Sequence, residues 1–200
     1  MAEGQPRLVL ASASPYRRAL LRRLHLPFET VRSDADETPL ADELPEAMVQ
    51  RLAEAKARAA ARLCPDHLIV GSDQNASHQG QILGKPGSVA KAEAQLAALS
   101  ARTVTFHTGL CLLDSASGRA RVGQVPFTVT FRTLTAAEIR HYVALDQPLD
   151  CAGSFKSEGL GISLFARMNG DDPTALVGLP LITLARWLRA AGIPVPPPSH

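Results

Sequence analysis

The 200-residue sequence predicts a mixed α/β or α+β domain, and three observations carry that prediction. Short apolar runs of strand length are interspersed with longer stretches whose apolar residues recur at helical spacing. Ser or Thr stands in capping position before several of those stretches. Hydrophobic residues make up 46% of the chain and charged residues 20%, the balance of a soluble globular protein rather than a disordered one. At this length a fold buries roughly 70% of its unfolded surface, so no disulfide or metal staple is required.

Arg7 to Ser12 reads as a buried strand. Ser14 is placed to cap a helix and Pro15 to fill its first position, where a missing N–H costs nothing; this helix runs to about His25. Phe28 to Ser33 alternates as a second strand, and the acidic stretch Asp34 to Pro39 follows as a loop. From about Pro45 to Leu63, Met48, Val49, Leu52, Ala55 and Ala59 keep helical spacing. His67 to Val70 is a third strand, running into Gly71-Ser72-Asp73-Gln74. His78-Gln79-Gly80 forms a turn before Ile82-Leu83, and Gly84-Lys85-Pro86 breaks the chain again. Ser88 caps a helix to about Leu99. Thr103 to Leu113 and Arg121 to Arg132 are long strands joined through Asp114 to Gly118 as a hairpin. Thr135 and Glu138 form a capping box that opens a helix to about Leu145. A last helix spans Leu179 to Ala190 and ends at Gly192. With no repeat and no linker, residues 1–192 are expected to form one domain and 193–200 a Pro-rich tail, frayed from Pro194 to His200.

Composition excludes several functional classes. A net charge of +2 argues against a charge-driven nucleic-acid binder or a polybasic membrane protein. Cys64, Cys111 and Cys151 are odd in number and widely spaced, which suits neither a disulfide framework nor a zinc finger. The apolar run Leu8 to Ala11 is too short for a signal peptide, and nothing approaches the ~20 apolar residues of a membrane span, so the chain is expected in the cytoplasm. Of 21 basic residues only Lys56, Lys85, Lys91 and Lys156 are lysine, which makes each of them worth examining.

Four segments combine residues suited to chemistry. Ser12-Ala13-Ser14-Pro15-Tyr16-Arg17-Arg18 sits where a strand turns into a helix, and its hydroxyls, guanidinium groups and helix-end amides suit a polyphosphate. The same residues would also make a capped helix with solvated arginines. Asp73, placed just past a buried strand, suits a metal ligand or general base, or simply a turn. Asp34, Asp36 and Glu37 could hold Mg²⁺, which needs only one or two carboxylates beside phosphate and water, or form a solvated loop. Cys151 to Gly161 places three glycines around Lys156 and Glu158, as a ligand-approaching loop or a connector. No P-loop, GxSxG elbow or HExxH motif occurs, and the six histidines are scattered. Met48, Phe155 and Phe165 read as packing residues.

In this order the segments resemble the Maf family of nucleotide pyrophosphatases. The resemblance is carried by Leu10-Ala11-Ser12-Ala13-Ser14-Pro15 with Arg17-Arg18, then Asp36-Glu37-Thr38, Glu54-Ala55-Lys56-Ala57 and Gly71-Ser72-Asp73-Gln74. It continues through Gly84-Lys85-Pro86, Phe106-His107-Thr108-Gly109, Cys151-Ala152-Gly153-Ser154-Phe155 and Val177-Gly178-Leu179-Pro180-Leu181. It implies a Maf/ITPase-like α/β fold, an elongated mixed β-sheet flanked by helices, with two lobes and a cleft. It also implies hydrolysis of a nucleoside triphosphate to monophosphate and pyrophosphate with a divalent metal cation, Mg or Mn. Dimers are common in the family, so a homodimer is implied; stable nucleic-acid binding and membrane association are not.

The resemblance assigns Asp73 as the catalytic residue and a metal ligand with Glu37, and Ser14, Arg17, Arg18, Lys56 and Lys85 to the phosphates. It gives base choice to Tyr16, Gln74 and Glu158. In the branch that cleaves dTTP and UTP the corresponding residues are usually Arg, Thr and Gln, so this chain is similar to the 7-methyl-GTP branch. A positively charged 7-methylguanine suits the face of Tyr16, and its edge donors suit Glu158. Asn75 departs from the branch, which usually carries an apolar residue there; a buried Asn needs hydrogen-bond partners. The rival expectations are a dTTP/UTP pyrophosphatase, a non-catalytic nucleotide-binding protein linked to cell-division arrest, and a single-stranded nucleic-acid binder, the last disfavoured by the shortage of stacking aromatics.

Overall fold

The computed structural model describes residues 7–198. Its strands are β1 (Arg7–Leu10), β2 (Phe28–Thr30), β3 (His67–His78), β4 (Gln81–Leu83), β5 (Thr103–Asp114), β6 (Ala120–Phe131) and β7 (Phe165–Asn169). The helices are α1 (Pro15–Arg22), α2 (Pro45–Ala61), α3 (Val89–Leu99), α4 (Ala136–Asp146) and α5 (Leu181–Ala190). Strand neighbours follow the order β2-β1-β3-β5-β6-β7, with β4 added on β3. β1 runs parallel to β2 and β3, whereas β4 and β7 pair antiparallel, so the sheet is mixed as expected.

The chain divides into two compact units, to both of which β3, β5 and β6 contribute residues. The first unit holds Met1–Gln74, Thr108–Val125 and Asp172–His200. Its sheet is buried on both faces, and the period-two alternation of a strand sorts the residues of β1 between them. Leu8 and Leu10 join Leu68, Val70, Leu110 and Leu112 against Leu20 and Leu21 of α1 and Leu184 and Leu188 of α5. Val9 and Ala11 join Ile69, Cys111 and Leu113 against Ala53, Ala57 and Ala60 of α2. Ile193 is buried in the first of these clusters and Val195 packs on it, so these two tail residues are anchored rather than frayed.

The second unit holds Asn75–His107 and Pro126–Asp171. Its core includes Phe106, Phe131, Phe155 and Phe165, whose rings meet edge-to-face at centroid separations of 4.8 to 5.7 Å. Phe155 and Phe165 thus pack as expected. The capping box is present: Thr135 Oγ1 accepts from the Glu138 amide, and Glu138 accepts from the Thr135 amide. Helix α4 ends on Lys156, whose Nζ donates to the carbonyls of Asp146 (2.8 Å) and Gln147 (3.3 Å). Lys156 therefore acts as a helix C-cap.

Two strands depart from the sequence reading. β3 does not stop at Val70 but continues to His78, turns through Gln79 and Gly80 at positive φ, and returns as β4. Asp73 is therefore a mid-strand residue, not one beyond a strand end or in a turn. β7 went unpredicted because four of its five residues are exposed, so it lacks the alternation by which a half-buried strand shows itself.

Candidate active site

Close contact between α2 and the sheet builds the site. A Cβ at Gly71 would lie 2.0 Å from the Ala53 carbonyl oxygen, and one at Gly109 would lie 2.0 Å from that of Val49. Only glycine admits the helix backbone this close to β3 and β5. Lys56, one turn beyond Leu52 on α2, is thereby laid against Asp73, two residues beyond Gly71 on β3. Lys56 Nζ donates to Asp73 Oδ1 at 2.6 Å, and both residues are buried. The same ammonium lies 3.0 Å from Glu37 Oε1, whose side chain is 60% exposed. Lys56 has three N–H donors, so one remains after these two carboxylates are served.

The loop bearing Glu37 is held from both sides. Asp36 Oδ1 accepts from the amide and hydroxyl of Thr38, which holds its carboxyl below the usual range. On α2, Arg51 forms a two-pronged bridge to Glu43, with both contacts at 2.6 Å, and its Nη2 donates to the Thr38 carbonyl. The bridge to Glu43 raises the pKa of Arg51 and lowers that of Glu43. Arg51, which the sequence reading did not single out, ties this loop to α2. Its signal was a cation on the same helix as Lys56, facing the acidic loop.

Arg17 belongs to the same cluster. Its Nε donates to the Gly178 carbonyl at 2.8 Å, and Ser72 Oγ donates to that oxygen at 2.9 Å. Burial pushes the Arg17 guanidinium below its ordinary value, while the charges of Asp73 and Glu37 pull the other way. Ser14 caps α1 as predicted, its Oγ accepting from the Arg17 amide at 3.3 Å; the hydroxyl proton stays available to an anion. Tyr16 lies half-buried on the first turn of α1.

Gln74 follows Asp73 on β3 and, by alternation, faces the other way. Its side-chain amide nitrogen lies within hydrogen-bond distance of Thr108 Oγ1 (3.0 Å) and the carbonyls of Ala175 (2.7 Å) and Leu176 (3.1 Å). With its N–H groups engaged there, the group it can offer a ligand is the Oε1 acceptor.

Other expected residues have different surroundings. Arg18 lines a cavity with Arg22, Leu26, Pro27, Phe28 and Thr30, and among the described residues neither arginine is ion-paired with Asp73 or Glu37. Lys85 and Glu158 belong to the second unit, where both are exposed and Glu158 accepts from Ser157 Oγ at 3.2 Å. Asn75 is buried in β3.

Glu37, from the acidic loop, and Asp73, from β3, converge on the single ammonium of Lys56. A hard divalent cation takes one or two carboxylates and completes its shell with water and phosphate oxygens. Among the described residues no group of three or more His, Cys, Asp or Glu is gathered to hold a metal, and this two-carboxylate set fits a cation that arrives with a polyphosphate. No helix of the described residues is long and apolar enough to cross a membrane.

Comparison with known proteins bears on this cluster. The Maf-like protein family matches residues 7–191. A protein of Aromatoleum aromaticum named 7-methyl-GTP pyrophosphatase is 55% identical over 190 residues, covering 95% of this chain and 98% of that protein. A protein of Pseudomonas aeruginosa bearing the same name is 54% identical over 191 residues, covering 96% of this chain and all of that protein. Among solved structures, the Staphylococcus aureus Ham1 protein superposes with a TM-score of 0.52 at 13% identity, covering 92% of this chain and 99% of that one, which is a likeness of fold.

Proposed function

The chain belongs to the Maf family, and from that membership we propose that it is a nucleoside triphosphate pyrophosphatase acting on 7-methyl-GTP, releasing 7-methyl-GMP and pyrophosphate. The observation that carries the reading is the convergence of Asp73 and Glu37 on Lys56, in a chain 55% identical to a protein named for that activity.

Asp73 accepts the proton of the attacking water. The water oxygen bonds to the α-phosphorus, the bond from that phosphorus to the bridging oxygen breaks, and pyrophosphate leaves. Lys56 spends its third N–H on a phosphate oxygen, and Arg17, Ser14 and Lys85 supply further donors to the charge that develops on the leaving group. Arg18 is left out, because it lines the cavity shared with Arg22. Glu37 and Asp73 would hold the divalent cation, Mg²⁺ or Mn²⁺, which when bound neutralises phosphate charge and acidifies water. Tyr16, Gln74 and Glu158 set base choice. Gln74 presents a carbonyl acceptor and Glu158 a carboxylate, a pair that suits a base edge rich in donors and a cationic ring. In keeping with its relatives' substrate, the partner is a free nucleotide.

Pyrophosphate release measured over GTP, 7-methyl-GTP, dTTP, UTP and ATP, with Mg²⁺ and with Mn²⁺, tests the reading. The expected result is the highest kcat/KM on 7-methyl-GTP. A preference for dTTP or UTP would overturn the substrate, and tight binding without any pyrophosphate release would overturn the catalysis.

A further inference from the structure

Helix α1 carries Arg18 and Arg22 one turn apart on a single face, and neither guanidinium is ion-paired with a carboxylate among the described residues. Two like charges at this spacing repel each other. Arg18 Nε is moreover buried without a hydrogen-bond partner, a state that costs free energy until an acceptor arrives. Both arginines open onto a cavity of about 350 Å³ whose other walls are Leu26, Pro27, Phe28 and Thr30.

The strand beside them leaves the same vacancy of negative charge. Among the described residues β2 pairs only with β1. Its alternation puts Phe28 and Thr30 on the cavity side, while Glu29 projects to the opposite face, where its charge adds to the burial that raises the Cys64 thiol. The one carboxylate of this strand is thus directed away from the two guanidinium groups. What faces them is the Thr30 hydroxyl, which can donate to an anion as they do.

We propose that this cavity is a second anion site, distinct from the Lys56–Asp73 cluster, that binds a phosphate-type oxyanion between Arg18 and Arg22. Planar guanidinium forks can donate two parallel N–H bonds to a pair of oxygens of such a group. A volume near 350 Å³ exceeds a lone ion and has room for inorganic pyrophosphate or the phosphate end of a nucleotide. The site is independent of the substrate assignment: Arg18, which the family resemblance places on the substrate phosphates, has no part in the proposed mechanism, and the other lining residues have no catalytic, phosphate or base-reading role.

Isothermal titration of the full-length protein with inorganic pyrophosphate in low-salt, metal-free buffer tests it. Two classes of binding are expected, one lost in Lys56→Gln and the other weakened at least ~10-fold in Arg22→Gln, the scale of one charge-assisted hydrogen-bonded contact. Arg22 is exposed, so Arg22→Gln is expected to keep the wild-type circular dichroism spectrum and turnover. Arg22→Lys should recover only part of the binding, because it keeps the charge and loses the fork. A parallel titration with guanosine monophosphate separates the sources: Arg22-dependent binding there assigns a nucleotide phosphate, and its absence assigns free pyrophosphate. A single class of binding that Lys56→Gln abolishes, or identical isotherms for wild type and Arg22→Gln, would overturn the site.

Discussion

At the scale of single residues, one ammonium organises the proposed catalytic cluster. Lys56 could reach Asp73 alone or Glu37 alone; it reaches both, so one ammonium brings together the loop carboxylate and the strand carboxylate. Asp73→Asn keeps the shape of the side chain and removes its basicity, so kcat should fall by ~100-fold or more, the scale of a lost general base. Near-wild-type turnover in a steady-state pyrophosphate assay would remove Asp73 from the mechanism. Base choice is likewise a residue-level matter. The combined variant Tyr16→Arg, Gln74→Thr, Glu158→Gln should move preference from 7-methyl-GTP towards UTP and dTTP, because it removes the aromatic face and the negative charge that suit a cationic purine. An unchanged ratio of kcat/KM values would show that these side chains do not read the base. Several of these identities were open to sequence reading, because Asp73, Lys56 and Glu37 are chemically distinctive. Their arrangement was not: nothing local says that Lys56 stands between Glu37 and Asp73, or that consecutive Arg17 and Arg18 have different surroundings, Arg17 on the Gly178 carbonyl and Arg18 in a cavity with Arg22. Those are consequences of tertiary packing and of the 100° turn between neighbours on a helix.

At the scale of elements, signals that act over a few residues were legible and signals supplied by packing were not. Ser14, Ser88 and the Thr135–Glu138 box cap α1, α3 and α4 as the sequence predicts, since a cap bonds to amides two or three positions away. The continuation of β3 beyond Val70 was hidden, because Gly71-Ser72-Asp73-Gln74 has turn-like composition and is held extended by what lies across it. Ser72 Oγ bonds to the carbonyls of Gly109 and Gly178, and α2 presses on Gly71. This makes Gly71 the element-scale test. Gly71→Ala would drive a Cβ to within 2.0 Å of the Ala53 carbonyl, so α2 must lift from β3 and carry Lys56 with it. Overpacking against backbone at a buried position should cost about 3 kcal/mol, which for a chain of this size lowers Tm by about 6–12 °C. Turnover should fall as well, although Gly71 has no side chain to touch a substrate. Scanning calorimetry and the pyrophosphate assay on the same preparation check both, and a wild-type Tm would mean that α2 does not depend on this close approach.

At the scale of the whole molecule, the near-neutral charge of +2 says little about partners and less about pH dependence, which follows from where individual groups sit. Asp36, Glu43, Asp114 and Glu138 all have folded values below their ordinary ones, through hydrogen bonds to Thr38, Arg51, Ser117 and Thr135 respectively; Glu138 falls to about 2. A carboxyl lowered on folding contributes stability above its unfolded value, and that contribution is lost as pH falls through the folded one. For Glu138 the loss therefore begins near its ordinary 4.5 and runs down to about 2. The thiols act with the opposite sign. Burial pushes Cys111 and Cys151 from an ordinary 9.0 up to about 12, so the folded state keeps protons that the unfolded chain releases. Their contribution is intact below 9.0 and is lost as pH climbs towards 12, and Tyr142, raised by burial in the second unit, adds to the same limb. The expected profile of Tm against pH is a plateau between about 4.5 and 9 that falls on both sides. Each kcal/mol lost should lower Tm by about 2–4 °C at this length. Two variants separate the limbs. Glu138→Gln should flatten part of the acid limb and leave the alkaline one unchanged, and Cys111→Ala should do the reverse. An alkaline limb unchanged in Cys111→Ala would mean that this thiol is not held protonated by the core between Ala53, Ala57 and the sheet.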